Sequence, residues 1–392
     1  MLIALGLDMI AVILRSTRIQ PWILIAVAIL FVPFSFKLPY LLDYPAYIQQ
    51  WQTALVDPSG LVSLGTNAYG PVHYLFAFLY KINSNLPRIA FVLIWLISGF
   101  LLLRRCSMQR LPSWISWLLL FFLYCNPYFF RLYIYGQNDL AVSGLLVISI
   151  LNFRANRFAA SGTLFALALS YKFYPLVMLP FLSCSAMGFR SIQGFLLSLR
   201  WRYIFSVLSS LLAIYGLALI AMGSSVASPF WMLAQRPATE SSIAFFTKEI
   251  LGYSFLSKIG FFPALVALLL LVVVAFWRGW APCSSANIAL LTLFVFSPVF
   301  YFVYSIGFIA LLFEDATARS VQGVRFQFWL PLFCYMPMML MTFVVTATLA
   351  RFPSIPLVAL KGLIYAIPNL SLLILLCVSQ ERLLVGGKPT AS

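Results

Sequence analysis

From Trp22 onward the chain is a succession of apolar runs of membrane-spanning length, separated by short polar or basic stretches. Such runs predict transmembrane helices, and the strict polar/apolar alternation of a membrane β-barrel is absent. Spans are expected at 21–36, 87–103, 112–130, 140–152, 158–171, 174–187, 203–222, 260–277, 328–347 and 357–378. The run 287–313 is too long for one ordinary span and is broken at Ser297-Pro298. It reads as two short spans with an outer turn near 297–304. The expected fold class is therefore an all-α polytopic membrane protein with about 11–12 transmembrane helices.

Two segments, 37–86 and 223–259, are too polar and too interrupted to cross. In the first, DYPAYIQQWQTALV and GPVHYLFAFLYKI read as short amphipathic helices lying on the outer surface. Lys and Arg set the sidedness. Arg15 and Arg18 precede the first run, and Arg104, Arg105, Arg110, Arg154, Arg157, Arg190, Arg200, Arg202, Arg278, Arg319, Arg325, Arg382 and Lys388 mark the cytoplasmic ends. No small-residue cleavage site follows the first run, which reads as a retained signal anchor. With no internal repeat, residues 1–392 form a single expected membrane domain.

Composition reinforces the pattern. The 392 residues are 63% hydrophobic and 9% charged, with a mean hydropathy of +1.00. The net charge of +16 is scattered over span ends rather than gathered in a patch. It fits topology signals and attraction to anionic lipid or phosphate, and argues against a nucleic-acid partner. The six cysteines (106, 125, 184, 283, 334, 377) lie in or beside spans without a CxxC, so free thiols and no metal cluster are expected.

Only nine acids occur, and five of them (Asp43, Asp57, Asp139, Glu240, Glu249) fall on the outer side of this topology. Acids near hydrocarbon cost several kcal/mol when unpaired, so those at span ends need a partner or a task. Asp43, in KLPYLLDYPAYIQQW, could take the proton from an attacking hydroxyl; it also suits a helix N-cap, with Pro45 in the first turn. The stretch YIYGQNDLAVSG puts Gln137, Asn138 and Asp139 together at a span end, a few residues after Arg131. One cap and a Gly136 turn would explain one polar residue, not three. Asn, Gln and Asp together supply the mixed donors and acceptors that sugar hydroxyls require. Asp43 and Asp139 have no obvious third ligand, so no metal is expected.

Lys172, in LALSYKFYPLVMLP, ends a nearly uncharged run. It could snorkel, or hold a lipid-carrier phosphate at that depth, with Tyr171, Tyr174 and Pro175 shaping a site. Arg236, in AQRPATESSIAFF, could grip a phosphate through two parallel bonds, though most loop arginines are merely solvated. His73, the only histidine, reads either as an interfacial packing residue or as a ligand-binding one.

In this order the elements resemble the GT-C glycosyltransferases, closest to glycosyltransferase family 87, the polyprenol-phosphate-mannose-dependent mannosyltransferases of bacteria. Asp43 with Tyr47 resembles the family's Asp after the first span with an aromatic four residues on. Tyr69-Gly70-Pro71, Gly136-Gln137-Asn138-Asp139 and Lys172 to Pro175 resemble its next three motifs. The likeness covers about 43–180 and is weak afterward. Family members often carry a His after an S-P on a late span; here VFYFVYS follows Ser297-Pro298, and Tyr301 or Tyr304 stands in its place.

The resemblance implies a GT-C fold with two long extracytoplasmic segments, in a bacterial inner membrane, with its site facing the periplasm or exterior. It implies inverting transfer of a sugar, with mannose expected, from a polyprenyl-phosphate donor to a lipid or glycan acceptor, without a cofactor. Asp43 would be the general base. Lys172, Arg236 and Tyr304 would meet the donor phosphate. Tyr47, Tyr69, His73, Arg131, Gln137, Asn138 and Asp139 would bind sugar or acceptor. Two rivals remain from the residues themselves. A surface-polysaccharide polymerase or ligase would want an arginine-rich outer loop. A lipid-linked-sugar flippase or transporter would want mid-span charges and inverted repeats.

Overall fold

The computed structural model describes residues 19–64, 69–185, 192–235, 239, 242–299, 302–320, 326–349 and 355–386. Its helices in chain order are α1 (Gln20–Ser35), α2 (Tyr44–Val56), α3 (Pro71–Ile82), α4 (Leu86–Met108), α5 (Ser113–Leu119), α6 (Pro127–Tyr135), α7 (Asp139–Arg154), α8 (Phe158–Tyr171), α9 (Leu179–Leu182), α10 (Ile192–Ser198), α11 (Trp201–Met222), α12 (Ser228–Gln235), α13 (Ile243–Leu251), α14 (Phe255–Ile259), α15 (Phe262–Arg278), α16 (Pro282–Phe296), α17 (Phe302–Arg319), α18 (Phe326–Leu349) and α19 (Ile355–Gly386). Among the described residues there is no β-strand, only an isolated bridge between Cys184 and Leu199. Among the described residues three stretches are long and apolar enough to span a membrane, Leu86–Met108, Trp201–Phe230 and Leu360–Gln380, and five shorter apolar helices accompany them. The protein is an all-α polytopic membrane protein.

Most expected spans appear as helices, and α8 has the bounds read from its apolar run. Two do not behave as one helix. The stretch 112–130 splits: α5 runs into a π turn at Leu120–Tyr124, breaks at Cys125 and Asn126, and restarts as α6. Pro127 is the reason, since it lacks an N–H and pushes Asn126 out of helical geometry. The expected span 174–187 is described as far as Ser185, and there it is a 3₁₀ turn, Tyr174–Met178, followed by the single turn of α9. Pro175 and Pro180 start these turns and cannot donate to a longer helix.

The chain divides into two compact units. One comprises Met1–Lys172, Leu208–Pro229 and Ala316–Arg325; the other comprises Phe173–Val207, Phe230–Asp315 and Phe326–Ser392. In the first unit α4 is central: it packs on α1, α3 and α7, and α7 packs on α8. Gly144 lets α7 lie directly against α4, because a Cβ there would come 2.8 Å from the Ile94 carbonyl oxygen. The apolar window of α4 is 61% buried, whereas that of Trp201–Phe230 is only 11% buried. A helix apolar all round and uncovered by protein faces lipid, so α4 organises a core and α11 bounds one. In the second unit α16 packs on α15, α19 and the Tyr174–Met178 turn, and α19 also packs on α13 and α18.

Candidate active site

The N-terminus of α2 sets the first group. Asp43 occupies the position before the helix, with Pro45 in the first turn, yet its carboxylate makes no capping bond. It accepts instead from Gln137 Nε2 at 3.1 Å. Gln137 Oε1 in turn accepts from the Tyr47 hydroxyl at 3.4 Å, and the Tyr69 hydroxyl donates to the Tyr47 oxygen at 3.5 Å. The bonds all run one way, Tyr69 to Tyr47 to Gln137 to Asp43. Each donor polarises the next and the chain ends on a carboxylate. Asp43 is exposed, while Tyr47 and Gln137 behind it are buried. Burial holds the Tyr47 hydroxyl well above its usual pKa, and Tyr69, Asp43 and Asp139 push the same way. Tyr47 therefore stays protonated and serves as a donor.

The Gly136-Gln137 turn places Gln137. Gly136 has φ +61°, and its amide bonds to Tyr133 O while the Gln137 amide bonds to Leu132 O. That is a left-handed cap closing α6 just before α7 begins. A Cβ on Gly136 would stand 2.6 Å from the Tyr44 ring, so only glycine lets this turn lie against α2. Asn138 holds the N-cap position of α7 without a side-chain cap bond. Its fully buried amide faces the Tyr171 hydroxyl but makes no well-formed hydrogen bond.

The second group is an ion pair. Lys172 Nζ reaches both oxygens of Asp139, at 2.7 Å each, with side chains only 12% and 3% exposed. Lys172 leaves α8 in extended geometry and also stands 5.2 Å from the centroid of the Tyr69 ring. The pair is thus joined to the Asp43 chain through Tyr69. Read from the sequence, Asp139 and Lys172 had separate tasks; their 33-residue separation gave no sign of the pairing.

His73 forms the floor. It is fully buried, its Nδ1 lies 3.2 Å from the Tyr171 hydroxyl, and its ring meets those of Tyr47, Trp51 and Tyr69. Nε2 has no hydrogen-bond partner. Burial, and then the charge of Lys172, hold His73 well below its usual pKa and keep it neutral. The packing expectation for His73 holds, and the ring lies within the cluster.

The structure brings together Asp43, Tyr47, Tyr69, His73, Gln137, Asn138, Asp139 and Lys172. Arg131 is exposed on α6, away from the hydrogen bonds of this cluster. Tyr304 belongs to the second unit, where its ring lies 5.0 Å from that of Tyr174 and 5.7 Å from Phe294. Tyr171 bonds to His73 instead, so the two tyrosines flanking Lys172 have different partners. Arg236 and Tyr301 lie outside the described residues. Sequence reasoning missed Tyr44 and Trp51, which complete the buried face of α2. Their spacing from Tyr47, three residues before and four after, is a helical stripe and was the available signal. It also missed Arg88. Among the described residues no group of three or more His, Cys, Asp or Glu converges in a metal-ligating arrangement.

A model of glycosyltransferase family 87 matches residues 72–305. The chain belongs to that family. It is a membrane glycosyltransferase. The match begins just after Tyr69, so it takes in His73, Gln137, Asn138, Asp139 and Lys172 but not Asp43 or Tyr47. It also runs well beyond the 43–180 stretch in which the likeness was legible by eye, through Tyr304. Comparison with curated proteins gives no match. For this glycosyltransferase the ordered cluster in the first unit is the candidate active site.

Proposed function

We propose that this glycosyltransferase moves a sugar, with mannose expected, from a polyprenyl-phosphate donor to a hydroxyl of a lipid or glycan acceptor. The reaction takes place at the extracytoplasmic face of a bacterial inner membrane. The observation that carries the reading is an exposed carboxylate, Asp43, held by a one-way chain of donors and joined through Tyr69 to a buried lysine.

Asp43 takes the proton as the acceptor oxygen attacks the anomeric carbon. The bond from that carbon to the phosphate oxygen breaks on the opposite face, its electron pair leaves on the phosphate, and the configuration inverts. Gln137 holds the Asp43 carboxylate for this transfer, an amide being a bound orienter rather than a proton carrier. Lys172 stabilises charge growing on the leaving phosphate, and a preorganised cation in a water-poor site does so strongly. Asp139 holds Lys172 in place before the donor arrives. Tyr69, His73 and Asn138 line the sugar side, where the unbonded Nε2 of His73 and the amide of Asn138 supply polar groups for hydroxyls. Arg236 and Tyr304 are proposed as further phosphate contacts, and Arg131 as a contact for the acceptor at the rim. Lipid phosphate leaves with less charge than a nucleotide diphosphate, so a lysine can do what a metal does for the latter.

The test uses protein in lipid nanodiscs, radiolabelled polyprenyl-phosphate-mannose and a mixed lipid extract, with Asp43→Asn beside the native chain. Transfer resistant to EDTA and reduced about 10²–10⁴-fold in the variant is the expected result, the range for losing a general base. Equal transfer by both proteins removes Asp43 as the base.

A further inference from the structure

The most unusual buried group in the first unit is one the mechanism above does not use. Arg88, in the first turn of α4, is fully covered, yet among the described residues no carboxylate pairs with it. Its Nη2 donates to the Pro39 carbonyl at 3.0 Å, while Nε and Nη1 make no hydrogen bond. The guanidinium carbon lies 4.6 Å from the centroid of the Tyr44 ring and 5.5 Å from that of Tyr40. Burying a cation without a partner is costly, and a Met or Leu would cover these rings without that cost. A planar cation on two tyrosine faces offsets part of it. The remaining directed bond goes to one place, the segment from Pro39 to Tyr44 that carries Asp43.

That segment needs holding. Leu42 sits at φ +54° with its side chain exposed, an unfavourable backbone that its own packing does not stabilise. Asp43 has no cap bond. Two tyrosines of the segment reach the turn between α3 and α4. The Tyr44 hydroxyl donates to Ser84 O at 2.7 Å and accepts from the Arg88 amide at 3.3 Å. The Tyr40 hydroxyl meets Ser84 Oγ at 2.5 Å, and the Tyr40 and Tyr44 rings stack at 5.6 Å. On the other face of Tyr44 lies Gly136, where a Cβ would also come 3.2 Å from Arg88 Cγ.

We infer that Arg88 is a positioning residue: its buried guanidinium clamps the Pro39–Tyr44 segment and so fixes where the Asp43 carboxylate stands relative to the Gln137 turn. It touches neither donor nor acceptor. The inference rests on Asp43 being the base, but its physical content, a clamped segment, can be read without activity.

The experiment compares the native chain in nanodiscs with Arg88→Met, Arg88→Lys and, in parallel, Asp43→Asn. Hydrogen–deuterium exchange is followed in peptides covering 37–47 and in the body of α4. Arg88→Met should speed exchange in 37–47 while leaving α4 protected. Transfer should fall about 100-fold in kcat, the scale of a displacement near 1 Å. The donor KM should stay within about twofold and the pH profile should keep its shape, because an interaction that matters only in the transition state leaves ground-state binding alone. Arg88→Lys, which keeps the charge but not the plane, should recover only part of the rate. A raised donor or acceptor KM with kcat intact would make Arg88 a substrate-binding group and overturn the inference. Exchange rising throughout α4, or unaltered in 37–47, would also overturn it by reducing Arg88 to core filling. Native-level transfer by Asp43→Asn would instead sink the base assignment, and the exchange data would still judge the clamp.

Discussion

Two clusters of buried polar side chains in this membrane protein are wired differently. In the first unit, Asp139 and Lys172 form a buried ion pair and Arg88 is buried beside Tyr44, all tied to the chain that ends on Asp43. In the second unit, α17, α18 and α19 meet at Ser305, Tyr335 and Asn369, all at most 1% exposed. There the Tyr335 hydroxyl donates to Asn369 Oδ1 at 2.6 Å, with Ser305 Oγ at 3.4 Å, and no charge is involved. Neutral hydrogen bonds suffice to fasten helices in a membrane. Buried charge is far harder to maintain: the second unit keeps its own at Glu314 and Asp315, the latter accepting from Ser284 Oγ at 3.1 Å, whereas around Asp43 it takes the form of a lysine–aspartate pair and an arginine.

The sharpest break of that contrast is Lys172→Met. It leaves the Asp139 carboxylate buried without its cation, and removing one member of a buried pair costs about 3–5 kcal/mol. Thermal unfolding in nanodiscs should show a large loss of stability. The double variant Asp139→Asn/Lys172→Met should regain most of that stability without regaining transfer. Recovery of both would make the pair structural, no different in kind from the Tyr335 triad.

A smaller effect separates the two regions by pH. His73 faces Lys172, Tyr171, Tyr69, Tyr47 and Tyr74, and stays neutral in the folded protein because its pKa is lowered. The unfolded chain takes a proton there below about pH 6.5, so it binds more protons than the folded chain as pH falls. Stability should decline below that pH, by at most about 1.4 kcal/mol per pH unit, and His73→Gln should flatten the decline. A slope unchanged in that variant would place its origin elsewhere. The smallest effect is expected at the neutral triad. Tyr335→Phe should cost about 0.6 kcal/mol, the average for such bonds between membrane helices, and leave the transfer rate unchanged. A large drop in rate would show that the second unit's polar core also serves the reaction.

What could be read beforehand follows from the range of the physics. Apolar runs are local, so α8 was legible from end to end and the break at Ser297-Pro298 was visible as two residues. The motif residues were legible as types, since Gln, Asn and Asp are out of place at a span end. Their partners were not, because Tyr47 meets Gln137 across 90 residues and Lys172 meets Asp139 across 33. Arg88 was least legible of all. A single arginine at a span end reads as a topology signal, and nothing nearby in sequence reveals the tyrosine faces it rests on. The splitting of 112–130 was written in Pro127, but hydropathy averages over a proline and hides it.

The Asp139–Lys172 pair carries no net charge, and on the proposed reading this bears on turnover. A sugar–lipid phosphodiester arrives with one negative charge and leaves, after transfer, as a phosphomonoester with about −1.5 to −2 near neutral pH. A fixed potential acts on both in the same sense, so a lysine that stabilises the charge growing on the phosphate would hold the spent carrier more tightly than the donor. The Asp139 carboxylate lowers that potential, so on this reading the resting ion pair would limit how long the spent carrier lingers before the next donor.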